Sequence, residues 1–478
     1  MCGLRRIRHR CWMSWHEHAS PVSQLYPIIQ SSTMNETRHH RHISRLMAFI
    51  LTLAFVFTAT PSAAYAADFR TVMYEEESSQ MQVLGQFSAL HEFLSSLFAQ
   101  AGILQPQDEA VDSSAQEEEI SGMEESGTQE PTISDTVSQT GLSFYQKLAL
   151  GMDVNILIIG DSIGAGAGAS STDNMWFTLL EEYLMIAYYP DDYLAEVTAE
   201  QEGTSTDLLP ERIHLTNLSM GGNDSYAGYV TAMAFNDGID YDLVILCYGQ
   251  NDSEAYCATF YEAMIRAVKT NYPNSCLMSI LESSQQDYTN KILDEVELCE
   301  YYEIPMVDMI AAFANSGYDN TALTYDGLHP SDLGQWYYAQ CVFQAIMSCE
   351  SAGMVSTAMP EPLDEEVLGF DSFVYYAAGG MDADNTLQLQ RISSTSYIMK
   401  LQAEGTIGIH YSYSLGDSVP DIYIDGELCE KPEVLCENDF TEGLIQVVAM
   451  DGSIEEEIRL DFATSEQADG FLGLCISW

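Results

Sequence analysis

Basic residues are scarce: the 478-residue chain carries 17 Lys+Arg against 72 Asp+Glu, a formal net charge of −55. Beyond residue 66 the shortage deepens, because seven of the arginines precede that point together with only Glu17 and Glu36 among the acids. Such a surface repels phosphate backbones and anionic headgroups, which excludes nucleic-acid binding and adhesion to a membrane through a basic face. Histidine is nearly as rare. Six of ten lie before residue 67, so imidazole chemistry in the body of the chain has four candidates, His91, His214, His329 and His410. Cys-x-x-Cys and His-rich spacings are missing, and no metal is expected. The apolar run at residues 46–59 is short for a membrane span. What is present is a chain 46% hydrophobic, too apolar for disorder and too long for one compact domain.

Arg38, Arg41 and Arg45, then residues 46–59, Pro61 and Ala64-Tyr65-Ala66 read as an export signal cleaved near Ala66 or Ala67. Residues 1–66 are therefore taken as a signal peptide with an N-terminal extension, translation starting at Met34, and the product is expected to be secreted or held at the cell surface without a membrane span. An uncleaved anchor is the rival reading. Segment 67–103 carries Val83, Leu84, Phe87, Leu90, Phe93, Leu94 and Phe98 at helical spacing and predicts an amphipathic helix. Segment 104–141, with Glu117-Glu118-Glu119 and many small polar residues, reads as a flexible acidic linker. Cleavage leaves an odd number of cysteines, hence at least one unpaired thiol unless chains cross-link. Cys247 and Cys276 fall in apolar runs and read as core residues, whereas Cys429 and Cys436 are spaced for a local disulfide.

From residue 142 apolar runs alternate with helical patterns. Residues 154–159, 213–218, 243–247, 276–281 and 304–307 predict short buried strands, and Tyr256, Phe260, Met264 and Val268 mark an intervening helix. Alternation over 142–350 predicts a parallel sheet covered by helices on both faces, with ligands at the carboxyl ends of its strands. Beyond about Pro362 the period falls to two: Ile407, Ile409, Tyr411 and Tyr413 alternate with smaller residues, and Asp425-Gly426 and Asp451-Gly452 predict hairpin turns. A small all-β sandwich over 362–478 follows.

Gly160-Asp161-Ser162 ends the first strand and places a hydroxyl at the sheet edge. A serine needs a base, and Asp326-Gly327-Leu328-His329 lets one turn present a carboxylate and an imidazole together. Donors for an oxyanion are sought after other strands: Gly222 in Asn217-Leu218-Ser219-Met220-Gly221-Gly222, and the Asn251 amide in Gly249-Gln250-Asn251-Asp252. Singly, each is also ordinary strand-end turn chemistry. Gly221-Gly222-Asn223-Asp224 repeats the Gly-x-Asn-Asp spelling; strand context favours Asn251 over Asn223, and Gly221 stands as an alternative to Gly222.

Together these features resemble the SGNH/GDSL hydrolase family: Gly160-Asp161-Ser162 its nucleophile block, Gly222 its second-block glycine, Gly249-x-Asn251-Asp252 its third block and Asp326-x-x-His329 its last. The resemblance implies a three-layer α/β/α flavodoxin-like domain without metal or cofactor. It also implies catalysis by Ser162, Asp326 and His329, with Ser162 N–H, Gly222 N–H and Asn251 as oxyanion donors. The expected activity is that of an exported serine esterase, its substrate an acetylated carbohydrate. A glycan-binding adhesion protein with an inactive hydrolase-like unit, an acyltransferase and a lipase are the alternatives. The oligomeric state is not legible.

Overall fold

The computed structural model describes residues 141–204, 209–235, 237–379, 389–412, 420–429 and 443–478. The export signal, the 67–103 helix, the acidic linker, Tyr413 and Cys436 lie outside these residues.

Helix α1 (Phe144–Ala149) opens the domain behind a capping box made by Ser143 and Gln146. Strand β1 (Val154–Gly160) follows, then α2 (Trp176–Tyr188), α3 (Pro190–Glu202), β2 (Ile213–Asn217), α4 (Ser225–Ala234), β3 (Leu243–Cys247), α5 (Cys257–Asn271), β4 (Cys276–Leu281), α6 (Asn290–Tyr301) and β5 (Met306–Asp308). Helices α7 (Met309–Asn315), α8 (Asn320–Leu323) and α9 (Asp332–Ser351) complete the unit. The sheet is parallel throughout, in the order β2-β1-β3-β4-β5. A strand covered on both faces needs apolar side chains on both. In β3 every residue is buried. Leu157 and Ile159 of β1 and Val244 and Leu246 of β3 pack under α4 and α5; their alternates, Ile156, Ile158 and Ile245, are equally buried and point to the opposite face. On that face α2 and α9 meet through Trp176 with Tyr338 and Tyr183 with Phe343.

One expected strand and one expected turn need correction. The fifth begins at Met306 rather than Ile304, because the Ile304 N–H is taken by the Cys299 carbonyl (2.8 Å) as α6 closes through Glu303, whose φ is 55°. Asp451-Gly452 is not a hairpin turn: it lies inside a long strand, at a register shift between Ala449 and Gly452, and the chain reverses after Ile454 instead.

The C-terminal β region contains β6 (Phe373–Ala377), β7 (Gln390–Arg391), β8 (Ser396–Lys400), β9 (Ala403–Tyr411), β10 (Asp421–Ile424), β11 (Glu427–Leu428), β12 (Leu444–Ile454), β13 (Glu457–Asp461), α10 (Ser465–Asp469) and β14 (Phe471–Ser477). They form two antiparallel sheets, β11-β10-β13-β8-β7 and β12-β9-β14-β6. Asp425-Gly426 makes the expected turn, both residues at positive φ (49° and 87°). Ile407, Ile409, Ile422, Ile458, Leu460, Leu474 and Ile476 fill the space between the sheets. The outer face of the four-stranded sheet is buried as well, Ile445 and Cys475 joining Tyr226, Tyr229 and Phe370 in a cluster shared with α4 and α5. Gly408 belongs to that face; a Cβ there would lie 2.4 Å from the Tyr226 hydroxyl.

The connection from α9 to this sandwich is tied down along α5. Lys269 Nζ donates to the Thr357 carbonyl at 2.9 Å, an Arg266 guanidinium N–H to that of Pro360 at 3.1 Å, and the buried Glu262 carboxylate accepts the N–H groups of Leu363 and Asp364. Residues 262, 266 and 269 share one helix face.

Candidate active site

Strand β1 ends at Gly160, where close packing leaves no room for a side chain: a Cβ would stand 2.6 Å from the Cys247 carbonyl oxygen. Asp161 N–H continues the ladder to that same oxygen, and its carboxylate accepts the Ile163 N–H at 2.7 Å. The resulting turn sets Ser162 at the carboxyl edge of the sheet. Trp176 Nε1 donates to the Ile163 carbonyl at 3.0 Å and holds the loop from behind.

The histidine arrives on a hairpin closed by a bridge between Thr324 and Pro330, with Tyr325 N–H donating to the His329 carbonyl at 2.7 Å. Gly327 turns this hairpin at φ 95°. Asp326 Oδ1 accepts the N–H groups of Leu328 and His329, leaving Oδ2 to meet His329 Nδ1 at 2.7 Å. Burial pushes the Asp326 carboxyl up, but the hydrogen bonds from His329 and the loop amides outweigh it and hold it below the usual carboxylate range. An ionised Asp326 fixes the Nδ1–H tautomer, which turns a bare Nε2 toward Ser162. Nε2 and the Ser162 Oγ are 2.9 Å apart, across 167 residues of sequence. Both residues are 7% exposed, so the pair is sheltered yet reachable.

Asn251 comes to this edge from β3. Its Nδ2 donates to Asp161 Oδ2 and to the Asn223 carbonyl, each at 3.0 Å. Asn223 faces elsewhere: its Nδ2 donates to the Met220 and Gly443 carbonyls and its Oδ1 accepts the Ile445 N–H. Gly222 is buried at φ 80°. Neither its N–H nor that of Ser162 has a hydrogen-bond acceptor among the described residues. Ser162, His329 and Asp326 therefore come together, with the Asn251 amide bonded to Asp161 beside Ser162, while the Asn223 amide is bonded to the Met220 and Gly443 carbonyls.

Several supporting residues escaped the sequence reading. Gln335, fully buried on α9, accepts Trp176 N–H at 3.0 Å and donates to the carbonyls of Ala167 and Pro330, tying the serine loop to the histidine loop. The signal for it was a polar residue on the otherwise apolar face that includes Tyr338 and Val342. Gly168, at φ 90°, lets the two loops touch, since a Cβ would lie 3.0 Å from that of His329. Lys291 Nζ pins the carbonyls of Gly249 and Gln250. Beneath Asn251 lie three buried acids. Glu282 accepts the Gln250 N–H at 2.8 Å and contacts Asp161. Burial, then the neighbouring charge, pushes Asp161 well up, and burial raises Glu282 to about 7. Glu295 has no partner for either carboxylate oxygen among the described residues, and burial drives it well above the carboxylate range. Gly249 makes room for it, a Cβ there falling 2.3 Å from Glu295 Oε1. No group of three or more His, Cys, Asp or Glu side chains among the described residues is arranged to hold a metal ion.

A five-stranded parallel sheet in the order 2-1-3-4-5, followed by a β domain, is a flavodoxin-like α/β/α fold with an appended β unit. Residues 158–337 match the GDSL-like Lipase/Acylhydrolase family. Among solved structures it is similar to a two-domain esterase (CEX) active on acetylated mannans, co-crystallized with mannopentaose. That likeness has a TM-score of 0.52 at 17% identity and covers 69% of this chain and 93% of that one. The acetyl xylan esterase AlAXEase matches with TM-score 0.30 at 18% identity over 40% of this chain and 99% of its own. No curated protein matches the chain.

Proposed function

We propose that the protein is an exported serine esterase that removes O-acetyl groups from a carbohydrate through an acyl-enzyme on Ser162. The observation that carries this reading is the unbroken relay from Ser162 Oγ to His329 Nε2 (2.9 Å) and from His329 Nδ1 to Asp326 (2.7 Å). Ser162 Oγ attacks the ester carbonyl while His329 takes its proton, and Asp326 stabilises the imidazolium. The tetrahedral oxyanion receives the N–H groups of Ser162 and Gly222 and one N–H of Asn251. His329 then protonates the leaving alcohol, and water, deprotonated by the same imidazole, frees acetate. Acetylated glycan is favoured as substrate because the two-domain structure similar over 69% of this chain is active on acetylated mannans. The proposed division is a hydrolase domain at 142–350 and a β-sandwich at 362–478, behind a signal, a helical segment and a linker.

Acetate release from acetylated glucomannan and xylan, beside hydrolysis of long-chain esters, tests the assignment. The wild-type protein should release acetate, prefer these substrates to long-chain esters and label with a serine-reactive organophosphonate. Ser162→Ala should do none of these. Undiminished acetate release by Ser162→Ala would overturn the mechanism; preference for long-chain esters would replace the substrate.

A further inference from the structure

Asn223 carries a reaction-shaped spelling, yet its side chain is 1% exposed and directed into the β-sandwich. Its Nδ2 donates to the Gly443 carbonyl at 2.8 Å, and its Oδ1 accepts the Ile445 N–H at 2.8 Å. These two groups bracket Leu444, the first residue of β12, so the carboxamide pairs with the strand as a neighbouring strand would. A third bond, from Nδ2 to the Met220 carbonyl at 3.2 Å, secures the loop that carries Gly222. The backbone of Asn223 faces the other way, its carbonyl accepting from Asn251 Nδ2 at 3.0 Å, and that amide also meets Asp161 beside Ser162.

We infer that Asn223 is a positioning residue that couples the C-terminal β domain to the oxyanion donors, so that this domain is a working part of the active site rather than a spacer. Two independent features keep the coupling stiff. The four-stranded sheet buries its outer face on α4, the helix that directly follows Asn223-Asp224, with Tyr226 seated against Gly408. The connection between the domains is held along α5 by Glu262, Arg266 and Lys269. A shift of β12 is therefore transmitted to the Asn223 carbonyl, and from there to the aim of Asn251. The inference rests on the serine-esterase reading and adds to it a function for the second domain.

The test uses the full chain with p-nitrophenyl acetate as probe and compares Asn223→Ala, Asn251→Ala and the double variant. Asn223→Ala should lower kcat about tenfold or more with KM nearly unchanged, less than the direct loss of a donor. In the Asn251→Ala background the same change should cost less than about twofold, because the group it acts through is gone. Equal losses in both backgrounds, or full kcat in Asn223→Ala, would overturn the coupling. Ile458→Ala, in the sandwich interior, separates positioning from loss of stability: it should lower Tm and leave kcat unchanged, and a parallel fall in kcat counts against the inference. If Asn223→Ala does not fold, Gly443→Ala decides. Its methyl would lie 2.9 Å from His410 Nε2 and displace the start of β12 without changing a hydrolase side chain; reduced kcat supports the coupling and unchanged kcat refutes it. Ser162→Ala keeps the two questions apart. Activity surviving in it sinks the esterase mechanism, whereas an inactive Ser162→Ala beside a fully active Asn223→Ala sinks only the coupling.

Discussion

Gly221-Gly222-Asn223-Asp224 and Gly249-Gln250-Asn251-Asp252 share three of four letters and flank the serine loop, one after β2 and one after β3, the two strands on either side of β1. Their asparagines do opposite things. Asn251 lies four residues past the end of β3 and turns its amide to the nucleophile loop; Asn223 lies six past the end of β2 and turns its amide into the second domain. The distance from the strand end, rather than the motif, decides which way the side chain points. The segments are also stitched together: Asn251 donates to the Asn223 carbonyl, and Asp252 Oδ1 accepts both the backbone N–H and the hydroxyl of Ser225. The asparagine side chain of the first segment holds the β domain, and that of the second holds the serine loop.

The largest effect expected from this contrast is at Asn251. Asn251→Ala should lower kcat by about 10²–10³ with the fold intact, the usual cost of losing an oxyanion donor. A larger loss from Asn223→Ala, measured side by side, would reverse the assignment. A smaller effect is expected at the stitch. Ser225→Ala leaves Asp252 Oδ1 with one donor in a buried setting and should cost about 1–3 kcal/mol of stability, read from urea unfolding. Its kcat should stay within about threefold of wild type, since Asn251 keeps both of its acceptors.

How much of this was readable beforehand follows burial. Strands buried on both faces are continuous apolar runs, so residues 243–247 and 276–281 match β3 and β4 residue for residue. The pairing of Asp326 with His329 was legible because a short spacing brings them onto one hairpin. Asp451-Gly452 misled because a turn-forming pair also suits a strand irregularity, and only the pairing of β12 with β9 distinguishes them. Gln335, Glu282 and Lys291 were missed for a different reason. Each acts on backbone groups of a distant loop, at sequence separations of 168, 32 and 42 residues, and no local pattern names the partner of such a bond. Asn223 combined both difficulties, its motif pointing to one role and its partners, 220 and 222 residues away, giving it another.

The smallest expected effects are on pH dependence, where the supports of the two segments should respond with opposite sign. Under the second segment, Glu282 accepts the Gln250 N–H, with Asp161, Cys247 and Glu295 as its ionisable neighbours. Burial raises it from 4.5 to about 7. A carboxyl whose folded pKa is raised contributes stability that is complete below its unfolded value and is lost as pH rises through the folded one. Glu282→Gln stays neutral, so its Tm relative to wild type should climb between pH 5 and pH 8. Beside the first segment's anchor, His410 packs against Gly443 and hydrogen-bonds Tyr375, and burial lowers it from 6.5 to about 4. Its contribution is present above the unfolded value and is lost as pH falls toward the folded one, so the Tm deficit of His410→Gln should shrink from pH 7 to pH 4. Thermal melts across this range would show two slopes of opposite sign. Parallel slopes for the two variants would mean that the segments share one electrostatic environment, and the contrast between a reaction-facing and a domain-facing loop would then rest on hydrogen bonds alone.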